Sequence, residues 1–351
     1  MDVMGISKTV LTVIIGTFGL ALFGIAFGLL YKGIDRKLSA HMQGRIGPPI
    51  RQPFRDVAKL FFKENIVPEN AIEWIFNLAP FMGLVATISI LLYLPIGGFE
   101  PLLSSKGDLI LILYLLIVPS LAMVVSGFAS GSPYATIGAQ REMATMISYE
   151  FPLAIIIISV AWKLSTLGSS NVFALSTITA SPVWNSTGPV GFVGFLILLF
   201  ALVIVTPAEL SKIPFDAPEA ETEIAGGLLV EYSGRNLAMF YLTDGVKTVV
   251  MASLVVALFF PYNLSPLLGL TSYAGITADI LFYLLKLFLV ILFSVTLIRV
   301  AIARLKIDQI VYTYWIWITL ISLIGLILVM WDIPFMDRLG LETVSHMLGF
   351  A

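Results

Sequence analysis

Eight long apolar stretches are the feature that most constrains how this chain can fold. Each approaches the about 20 residues that a helix needs to cross a bilayer core of about 30 Å. The stretches are Val10–Tyr31, Asn77–Leu94, Asp108–Phe128, Met146–Leu164, Val190–Pro207, Leu237–Phe260, Asp279–Val300 and Val311–Trp331. We therefore predict an all-α, polytopic membrane protein with eight transmembrane helices, forming a single membrane domain over residues 1–351.

The composition excludes a soluble protein. Of the 351 residues, 58% are hydrophobic and 12% are charged, whereas soluble domains carry about 25% charged residues. The chain has no cysteine, so we expect no disulfide, Fe–S cluster or thiolate metal site in it. Its two histidines, His41 and His346, lie far apart, which argues against a zinc or haem site. We predict no metal, cofactor or catalytic residue here and assign any redox cofactor to a partner.

Lysine and arginine collect in the loops that follow the odd-numbered spans. The first of these loops alone carries Lys32, Arg36, Lys37, Arg45, Arg51, Arg55, Lys59 and Lys63. The even-numbered loops and the two chain ends hold only Lys8, Lys106, Lys163 and Arg338. The positive-inside rule then places the charged loops, about residues 32–76, 130–145, 208–236 and 301–310, in the cytoplasm. We predict a multi-pass protein of the cell membrane with both termini outside.

The first charged loop combines a turn with an amphipathic segment. Gly47-Pro48-Pro49 prevents a continuous helix and forces a turn. Beyond it, helical spacing places Phe54, Val57, Ala58 and Phe61 on one face and Arg55, Asp56, Lys59 and Lys63 on the other. This pattern predicts an amphipathic helix at the membrane interface. Two interpretations of its charges stay open: an anchor held by lipid headgroups, and a docking surface for a protein partner.

The second charged loop is acidic. Between residues 209 and 235, only Lys212 and Arg235 oppose six carboxylates, those of Glu209, Asp216, Glu219, Glu221, Glu223 and Glu231. Pro218 suits the first turn of a helix that Asp216 would cap. On such a helix Glu219 and Glu223 are neighbours at i,i+4, and their repulsion raises the pKa of one of them. Such a cluster is able to hold and release protons near neutral pH.

A solvated acidic face is the alternative interpretation of the second loop. Apolar residues interleave with the acids, and a freely solvated loop would not need them. They are Ile213, Pro214, Phe215, Ile224 and Leu228.

Several ionisable residues fall within or beside the predicted spans, where each costs at least about 2.5–3.5 kcal/mol and usually marks a pathway. Glu142 and Glu150 flank the start of the fourth span and are about 80° apart around a helix, so both are able to face one cavity. Asp244 and Lys247 are spaced i,i+3, which predicts a pair that is either structural or functional. Lys286 lies near mid-membrane and must find a partner on another helix.

At these residues the sequence resembles the heel subunit of respiratory complex I (the H-type, or subunit 1, family) and its counterparts in energy-converting hydrogenases. The resemblance covers nearly the whole chain. It rests on Ala40-x-x-Gln43-x-Arg45-x-Gly47-Pro48 with Gln52-Pro53 and Lys59-Leu60, Gly131-Ser132-Pro133-Tyr134-Ala135-Thr136-Ile137-Gly138-Ala139 with Arg141-Glu142, Ile147-Ser148-Tyr149-Glu150, Pro214-Phe215-Asp216-x-Pro218-Glu219-Ala220-Glu221 with Glu231-Tyr232-Ser233-Gly234, and Arg304-x-Lys306-x-Asp308-Gln309.

One departure from the family pattern indicates which branch of the family the chain resembles. The quinone-reducing branch has a longer stretch between its Gly-Pro-Asn and Gln-Pro elements, whereas here Pro49 replaces that Asn and Gln52 follows almost at once. The segment from Gly131 to Tyr134 is also similar to the hydrogenase branch. The resemblance therefore favours a ferredoxin-linked complex, either a group 4 membrane-bound hydrogenase or the related sulfane sulfur reductase. A quinone-facing role for Arg45 is correspondingly in doubt.

The resemblance implies a non-catalytic subunit of an oxidoreductase complex. It would anchor a cytoplasmic arm with Fe–S clusters and a Ni–Fe-type site in its Fe–S and large subunits, and couple that arm to small and antiporter-like membrane subunits. No nucleic acid is expected. The predicted coupling and proton route comprises Asp216, Glu219, Glu221, Glu223, Glu142, Glu150, Glu231, Asp244, Lys247 and Lys286. The predicted arm-docking residues are Arg36, Gln43, Arg45, Gln52, Asp56, Lys59, Lys63, Arg141, Lys212, Arg235, Arg304 and Asp308.

Two other functions stay open at this point. One is the quinone-site subunit of a proton-pumping quinone oxidoreductase of the NADH or F420H2 type. The other is a standalone secondary ion transporter, against which the lack of an internal repeat argues. The residues do not decide whether H⁺ or Na⁺ is moved.

Overall fold

A computed structural model describes residues 3–104, 106–169, 171–270 and 272–339. Within them, eight helices are long and apolar enough to cross a bilayer, which confirms the predicted all-α, polytopic fold. The first six are α1 (Val3–Met42), α3 (Glu73–Leu91), α4 (Asp108–Ala129), α5 (Pro133–Thr166), α7 (Pro189–Glu209) and α9 (Gly234–Phe259). His346 and both chain ends, on which two predictions rest, lie outside the described residues.

The last two spans are each interrupted by a π-helical turn. In the seventh, Leu292–Thr296 joins α11 (Ser272–Ile291) to α12 (Leu297–Ala301). In the eighth, Thr313–Ile318 joins α13 (Ile307–Tyr312) to α14 (Thr319–Leu339). Short elements in the connections are α2 (Gln52–Phe62), α6 (Leu175–Ala180), α8 (Glu221–Ile224), α10 (Ser265–Leu268) and 3₁₀ turns at Val183–Ser186, Ala217–Glu219 and Gly227–Leu229.

Successive spans run in opposite directions, so the connections form two faces. We call the end of the bundle with connections 43–72, 130–132, 210–233 and 302–306 the charged face. The end with connections 92–107, 167–188 and 260–271 is the opposite face. Both charged loops lie at the charged face.

Two helices extend further into the charged face than the apolar stretches suggest. Helix α1 continues to Met42, because no helix breaker occurs before Gly44, which adopts a φ of 70°. Helix α5 begins at Pro133, which suits a first helical turn. The predicted loops 32–76 and 130–145 are therefore partly helical, and Arg141 and Glu142 lie inside α5 rather than before it.

Helix α9 forms the centre of the bundle. Within the apolar stretch of α9, 94% of the residues are buried. The corresponding share for α1, at the periphery of the bundle, is 17%. The backbones of α1 and α9 approach closely at Gly28 and Gly245, where a Cβ on Gly28 would clash with the carbonyl of Gly245. Because α9 is enclosed by other helices, each polar side chain on it must find its partner inside the protein.

The predicted amphipathic helix after the first span is present as α2, but its buried face is not the predicted one. Val57 packs against Leu29 of α1 and Leu242 of α9, whereas Phe54 and Phe61 are exposed. The helix thus packs on the bundle through the face that carries Pro53 and Val57. Its phenylalanines Phe54 and Phe61 therefore lie on the side turned away from the bundle.

Candidate functional site

The acidic loop between α7 and α9 folds back into the bundle and is fixed there by apolar side chains. Phe215 is buried against Tyr314 of the eighth span, with ring centroids 5.1 Å apart. Tyr232 stacks on Phe76 of α3 at 4.0 Å, and its hydroxyl donates to the carbonyl of Phe76 at 3.2 Å. Burial raises the pKa of Tyr232. The interleaved apolar residues are therefore anchors that hold the acids against the membrane helices.

The loop does not form the predicted capped helix. Ala220 is extended and separates the 3₁₀ turn ending at Glu219 from α8. Glu219 and Glu223 consequently do not lie on one helix and are not adjacent on a helical face. The side chain of Asp216 makes no capping hydrogen bond, because Arg304 takes both of its oxygens at 2.9 and 2.6 Å. The prediction that Glu219 and Glu223 repel each other on one helix is therefore wrong.

Basic residues from distant parts of the chain pair with part of the acidic loop. Arg141 of α5 donates to Glu223 at 2.5 Å and to the carbonyl of Ala217 at 3.2 Å. Arg304, which holds Asp216, also donates to Thr222 at 3.1 Å. Sequence position gave no sign of these pairs, since the partners are about 80 residues apart in the chain. The loop is less unpaired than its composition suggests.

A cavity of about 330 Å³ opens between this loop and helices α1, α9 and α11 at the charged face; we call it the charged-face cavity. Asp244 of α9 is its central carboxylate. Lys212 binds both Asp244 oxygens at 2.5 and 2.6 Å, and Lys32 of α1 lies 2.6 Å from one of them. The predicted pair between Asp244 and Lys247 is therefore wrong, because α1 and the loop supply two closer cations.

Glu219 and Glu221 also line the charged-face cavity. Burial, followed by the nearby charge of Asp244, raises the pKa of Glu219 from 4.5 to about 7, against the opposing effect of Lys212 and Lys32. Glu219 is thus placed to exchange a proton near neutral pH. Proton exchange by the acidic cluster stays a prediction, and the raised pKa of Glu219 comes from burial rather than from repulsion by Glu223.

Deeper in the bundle, Lys247 of α9 pairs with Glu209 at the end of α7. The ammonium lies 2.8 Å from the carboxylate, and both side chains are almost fully buried. Lys247 also donates to Ser120 of α4 at 3.1 Å. The hydroxyl of Ser120 lies 3.2 Å from that of Tyr149 of α5. Four helices therefore converge on one buried ion pair.

Glu142 and Glu150 of α5 lie beside this pair. Neither oxygen of Glu142, and one oxygen of Glu150, has a hydrogen-bond partner among the described residues. Burial of a carboxyl group without hydrogen bonds is costly, which distinguishes these two acids from the paired acids of the second loop. The prediction that they face one polar region matches this placement.

Lys286 lies midway along the seventh span, but its side chain extends towards the opposite face. Its ammonium donates to the carbonyls of Phe260 and Tyr262, at 2.9 and 2.8 Å, where α9 ends at the opposite face. It also lies over the ring of Phe282 at 4.9 Å. Its partners are thus backbone carbonyls, and it is separate from the acids of the charged face. Glu231, half-buried beside α9, likewise belongs to no ion pair within the described part of the chain.

The predicted docking residues fall into two groups. Some are used inside the chain: Arg36 pairs with Asp56 at 3.4 Å, and Gln52 donates to Asp56 at 2.8 Å. Arg141, Lys212 and Arg304 pair with acids of the second loop and of α9. The side chains exposed at the charged face are Gln43, Arg45, Lys59, Lys63, Arg235 and Asp308.

Several polar contacts were missed by the sequence analysis. The carboxylate of Asp35 in α1 accepts hydrogen bonds from Arg299 at 2.9 Å and from Thr296 at 2.8 Å. Lys163 and Asp332 form a fully buried pair at 2.8 Å between the fourth and eighth spans. An isolated charge in an apolar stretch, such as Asp332, would have signalled such a pair. Lys32, counted only as a topology signal, is a direct neighbour of Asp244.

The fold and the site together define a class: a multi-pass helical membrane subunit that buries a series of acids and bases between its spans. The family profile of NADH dehydrogenase matches residues 15–330, and the chain therefore belongs to that family, the one of complex I subunit 1. The resemblance inferred from the motifs is confirmed.

Two relatives agree with this assignment. The H-type subunit of the F(420)H(2) dehydrogenase of Methanosarcina mazei is 32% identical over 330 residues, which is 89% of this chain and 91% of that protein. A solved structure of the membrane-bound sulfane sulfur reductase, an archaeal respiratory membrane complex, aligns with a TM-score of 0.79 and 30% identity, over 90% of this chain and 99% of that one. The chain is thus a membrane subunit of an oxidoreductase complex.

Proposed function

We propose that this chain anchors and couples the redox arm of an ion-translocating complex. One observation carries the proposal: a series of buried charges leads from the charged face into the bundle. It starts at the charged-face cavity with Glu219 and Asp244, continues through the buried pair of Glu209 and Lys247, and ends at Glu142 and Glu150. We call these six residues the buried charge series.

The series suits proton-linked coupling because its members influence one another. When Glu219 gains or loses a proton, the balance of charge around Asp244, Lys212 and Lys32 changes. The charge of Glu219 also acts on Glu142. An electrostatic change at the charged face would thereby act on an acid within a span, in a region of low dielectric where such effects are strong.

The redox chemistry itself belongs, in this proposal, to partner subunits. The chain supplies no cysteine among its 351 residues, and thiolates are the usual ligands of Fe–S clusters. Fe–S clusters and a Ni–Fe-type site would therefore sit in an arm that docks on the charged face. The exposed Gln43, Arg45, Lys59 and Lys63 offer donors to such an arm. Small and antiporter-like membrane subunits would receive the coupling signal.

We place the charged face in the cytoplasm of a cell membrane. Its excess of lysine and arginine supports this orientation. A chain without cysteine makes the test simple, because one introduced thiol labels one site. In sealed right-side-out vesicles, Lys59→Cys is expected to resist a membrane-impermeant maleimide, and Thr179→Cys at the opposite face to react. Inverted vesicles should exchange the two results, and the reverse pattern would contradict the orientation.

Two branches of the family differ in their electron acceptor. The short connection from Gly47-Pro48-Pro49 to Gln52 and the similarity to the sulfane sulfur reductase favour a ferredoxin-linked complex of hydrogenase or sulfur-reducing type. A second candidate, a quinone oxidoreductase subunit, is favoured by the similarity to the F(420)H(2) dehydrogenase. A cavity of about 210 Å³ between α1, α2 and α9 is consistent with a substrate that has an apolar tail and a polar head. Leu29, Val57 and Leu60 form the apolar part of its wall, and the charged part consists of Lys32, Arg36, Asp56, Lys59 and Lys63. A standalone transporter is supported by neither relative.

Added quinone separates the two branches. A ferredoxin-linked complex is expected to show the same rate of ferredoxin oxidation with and without a soluble quinone and a quinone-site inhibitor. A rate that rises with quinone and falls with the inhibitor would establish the second candidate instead.

The coupling role is tested by removing single acids from the series. In the whole complex reconstituted into liposomes, Glu219→Gln and Glu150→Gln are expected to lower ion transport per electron while electron transfer continues. Glu69→Gln is the matched control, because Glu69 is an exposed acid at the same face and does not line the charged-face cavity. Full coupling in both Glu219→Gln and Glu150→Gln would show that the series is not the route.

A further inference from the structure

A second polar cavity lies at the opposite face, away from the buried charge series. It measures about 350 Å³ and is formed by the connection after α3, by α6, by the end of α9 and by α11; we call it the opposite-face cavity. Glu100, Asn263, Tyr283 and Lys286 contribute polar groups to its wall. It therefore gives water access to α11 from the side away from the acidic loop.

Tyr283 carries this polar region into the bundle. Its side chain is 4% exposed, and its hydroxyl lies 2.7 Å from that of Ser253 of α9. Ser253 in turn donates to the carbonyl of Val249, one turn further towards the charged face. A buried tyrosine and serine thus form a hydroxyl pair at the inner end of the opposite-face cavity.

Tyr31 of α1 extends the polar region of the charged-face cavity into the bundle. It lines the charged-face cavity and is 5% exposed. Its hydroxyl donates to the carbonyl of Leu284 at 2.8 Å, and Leu284 directly follows Tyr283 in α11. The hydroxyl of Tyr31 thus reaches the residue next to Tyr283, and each tyrosine lines the cavity of its own face. We call Tyr31 and Tyr283 the plug between the two cavities.

The ammonium of Lys286 lies on the outer side of this plug. Lys286 follows Tyr283 by three residues, so its backbone is about one turn nearer the charged face, and its side chain extends back to the end of α9. Two of its three N–H groups are taken by the carbonyls of Phe260 and Tyr262, which leaves one for water in the cavity. The nearby Asp279 is occupied by Leu264 and Ser265. Lys286 therefore has a free donor and is not held in a structural ion pair among the described residues.

We propose that this chain contains its own proton path across the membrane, formed by the first, sixth and seventh spans. A proton passes from water in the charged-face cavity to Tyr31, then to Tyr283 and Ser253, and leaves through Lys286 and the opposite-face cavity. Each hydroxyl accepts one proton and gives up one, so only O–H and N–H bonds form and break. The path is closed in this structure, because Tyr31 donates to a carbonyl rather than to Tyr283.

The chemistry of the plug selects protons over metal cations. A sodium ion crossing it would need several oxygen ligands to replace its water shell, whereas the plug consists of two aromatic rings and single hydroxyls. The path also differs from the buried charge series, which leads towards α5 in the fourth span. The inference rests on the proposed function, because redox coupling must supply the driving force that opens the plug.

Phenylalanine substitutions test the path in the reconstituted complex. Tyr31→Phe and Tyr283→Phe keep the rings but remove the hydroxyls, and each is expected to lose part of the proton yield per electron at an unchanged rate of electron transfer. Tyr262→Phe is the matched control, since this tyrosine lies at the same face but its hydroxyl binds Asn185. A wild-type yield in both Tyr31→Phe and Tyr283→Phe would overturn the path.

Lys286→Arg distinguishes a proton carrier from a structural tie. Arginine keeps the charge and the donors to the two carbonyls but does not release a proton. We expect the same partial loss of proton yield as in Tyr283→Phe. If Lys286→Arg pumps normally while the tyrosine variants fail, the lysine is not part of the path and the proposed exit through it is wrong.

A leak assay separates this inference from the proposed function. Tyr283→Ala removes half of the plug, and liposomes containing that complex are expected to leak protons passively, without any electron donor. Glu219→Gln should abolish coupling without a leak. Loss of coupling in Glu219→Gln, together with no leak in Tyr283→Ala and a normal yield in Tyr283→Phe, would retain the proposed function and reject the path. A leak in Tyr283→Ala, together with normal coupling in Glu219→Gln, would retain the proton path and reject the proposed coupling function.

Discussion

The two charged loops at the same face of this protein are built in opposite ways. The basic first loop leaves Arg45, Lys59 and Lys63 exposed, and its helix α2 lies on the outside of the bundle. The acidic second loop is folded inward, and Asp216 and Glu223 are tied by arginines of other elements. Charges that stay at the surface are available to a partner, whereas charges that are buried must be balanced within the chain.

The largest effect is expected where the acidic loop meets the bundle. Lys247→Met leaves Glu209 buried without its cation, and removal of one partner of a buried ion pair costs about 3–5 kcal/mol. Denaturant titration of the detergent-solubilised complex measures this loss. The double variant Glu209→Leu/Lys247→Met removes both charges and should recover most of the stability. A small loss in the single variant would mean that water already solvates the pair.

A smaller effect is expected at the partly exposed end of the same loop. Arg304→Ala removes two hydrogen bonds to Asp216, and a bond to a charged group is worth about 1.5–3 kcal/mol when it is well formed. A double-mutant cycle with Asp216→Ala isolates the coupling between the two residues. A coupling energy near zero would show that the second loop resembles the first more closely than its contacts indicate.

The pH dependence of stability offers a third test of the inward-folded loop. The pKa of Glu219 is raised from 4.5 to about 7 in the fold, so the folded state binds this proton more tightly than the unfolded state does. Its stabilising contribution is complete below pH 4.5 and is lost as the pH rises to about 7. Glu219→Gln does not ionise and should lose less stability over this range. Equal slopes for the wild type and Glu219→Gln would contradict the burial of Glu219.

The smallest effect on stability is expected in the first loop. Lys59→Gln and Lys63→Gln change exposed side chains without ion pairs in the described structure, so stability should shift by less than about 0.5 kcal/mol. If the first loop docks the arm, the double variant weakens association with the arm and lowers its dependence on salt. Sedimentation of the complex at two salt concentrations measures this. Unchanged association would favour the alternative role of an anchor held by lipid headgroups.

Much of the fold was predictable because it depends on local properties of the chain. A run of apolar residues long enough to cross a bilayer is visible in the sequence, and all eight spans were found in this way. Helix α2 was found from its amphipathic spacing. The boundaries at Met42 and Pro133 were not, since polar residues continue α1 and open α5. Apolar length alone gives no information about how far a helix extends beyond the membrane.

The candidate site was predictable in its members but not in its pairs. Glu142 and Glu150 were identified because acids in or near apolar segments are unusual, and Glu219 because six carboxylates crowd the second loop. The pairing of Asp244 with Lys247 followed from i,i+3 spacing and was wrong, because Lys32 and Lys212 approach Asp244 from other elements. Helical spacing indicates which residues are adjacent on one helix, and a buried charge binds whichever opposite charge is closest in three dimensions.

The sequence by itself determined the class of protein, the number of spans, the family and the two loops in which the charges collect. These features depend on composition and on the order of residues along the chain. Only the tertiary structure decided which charges are neutralised, where Lys286 lies, and that two cavities approach each other at Tyr31 and Tyr283. Electrostatic energy depends on distances between atoms, and the residues that meet in this site come from helices far apart in the sequence.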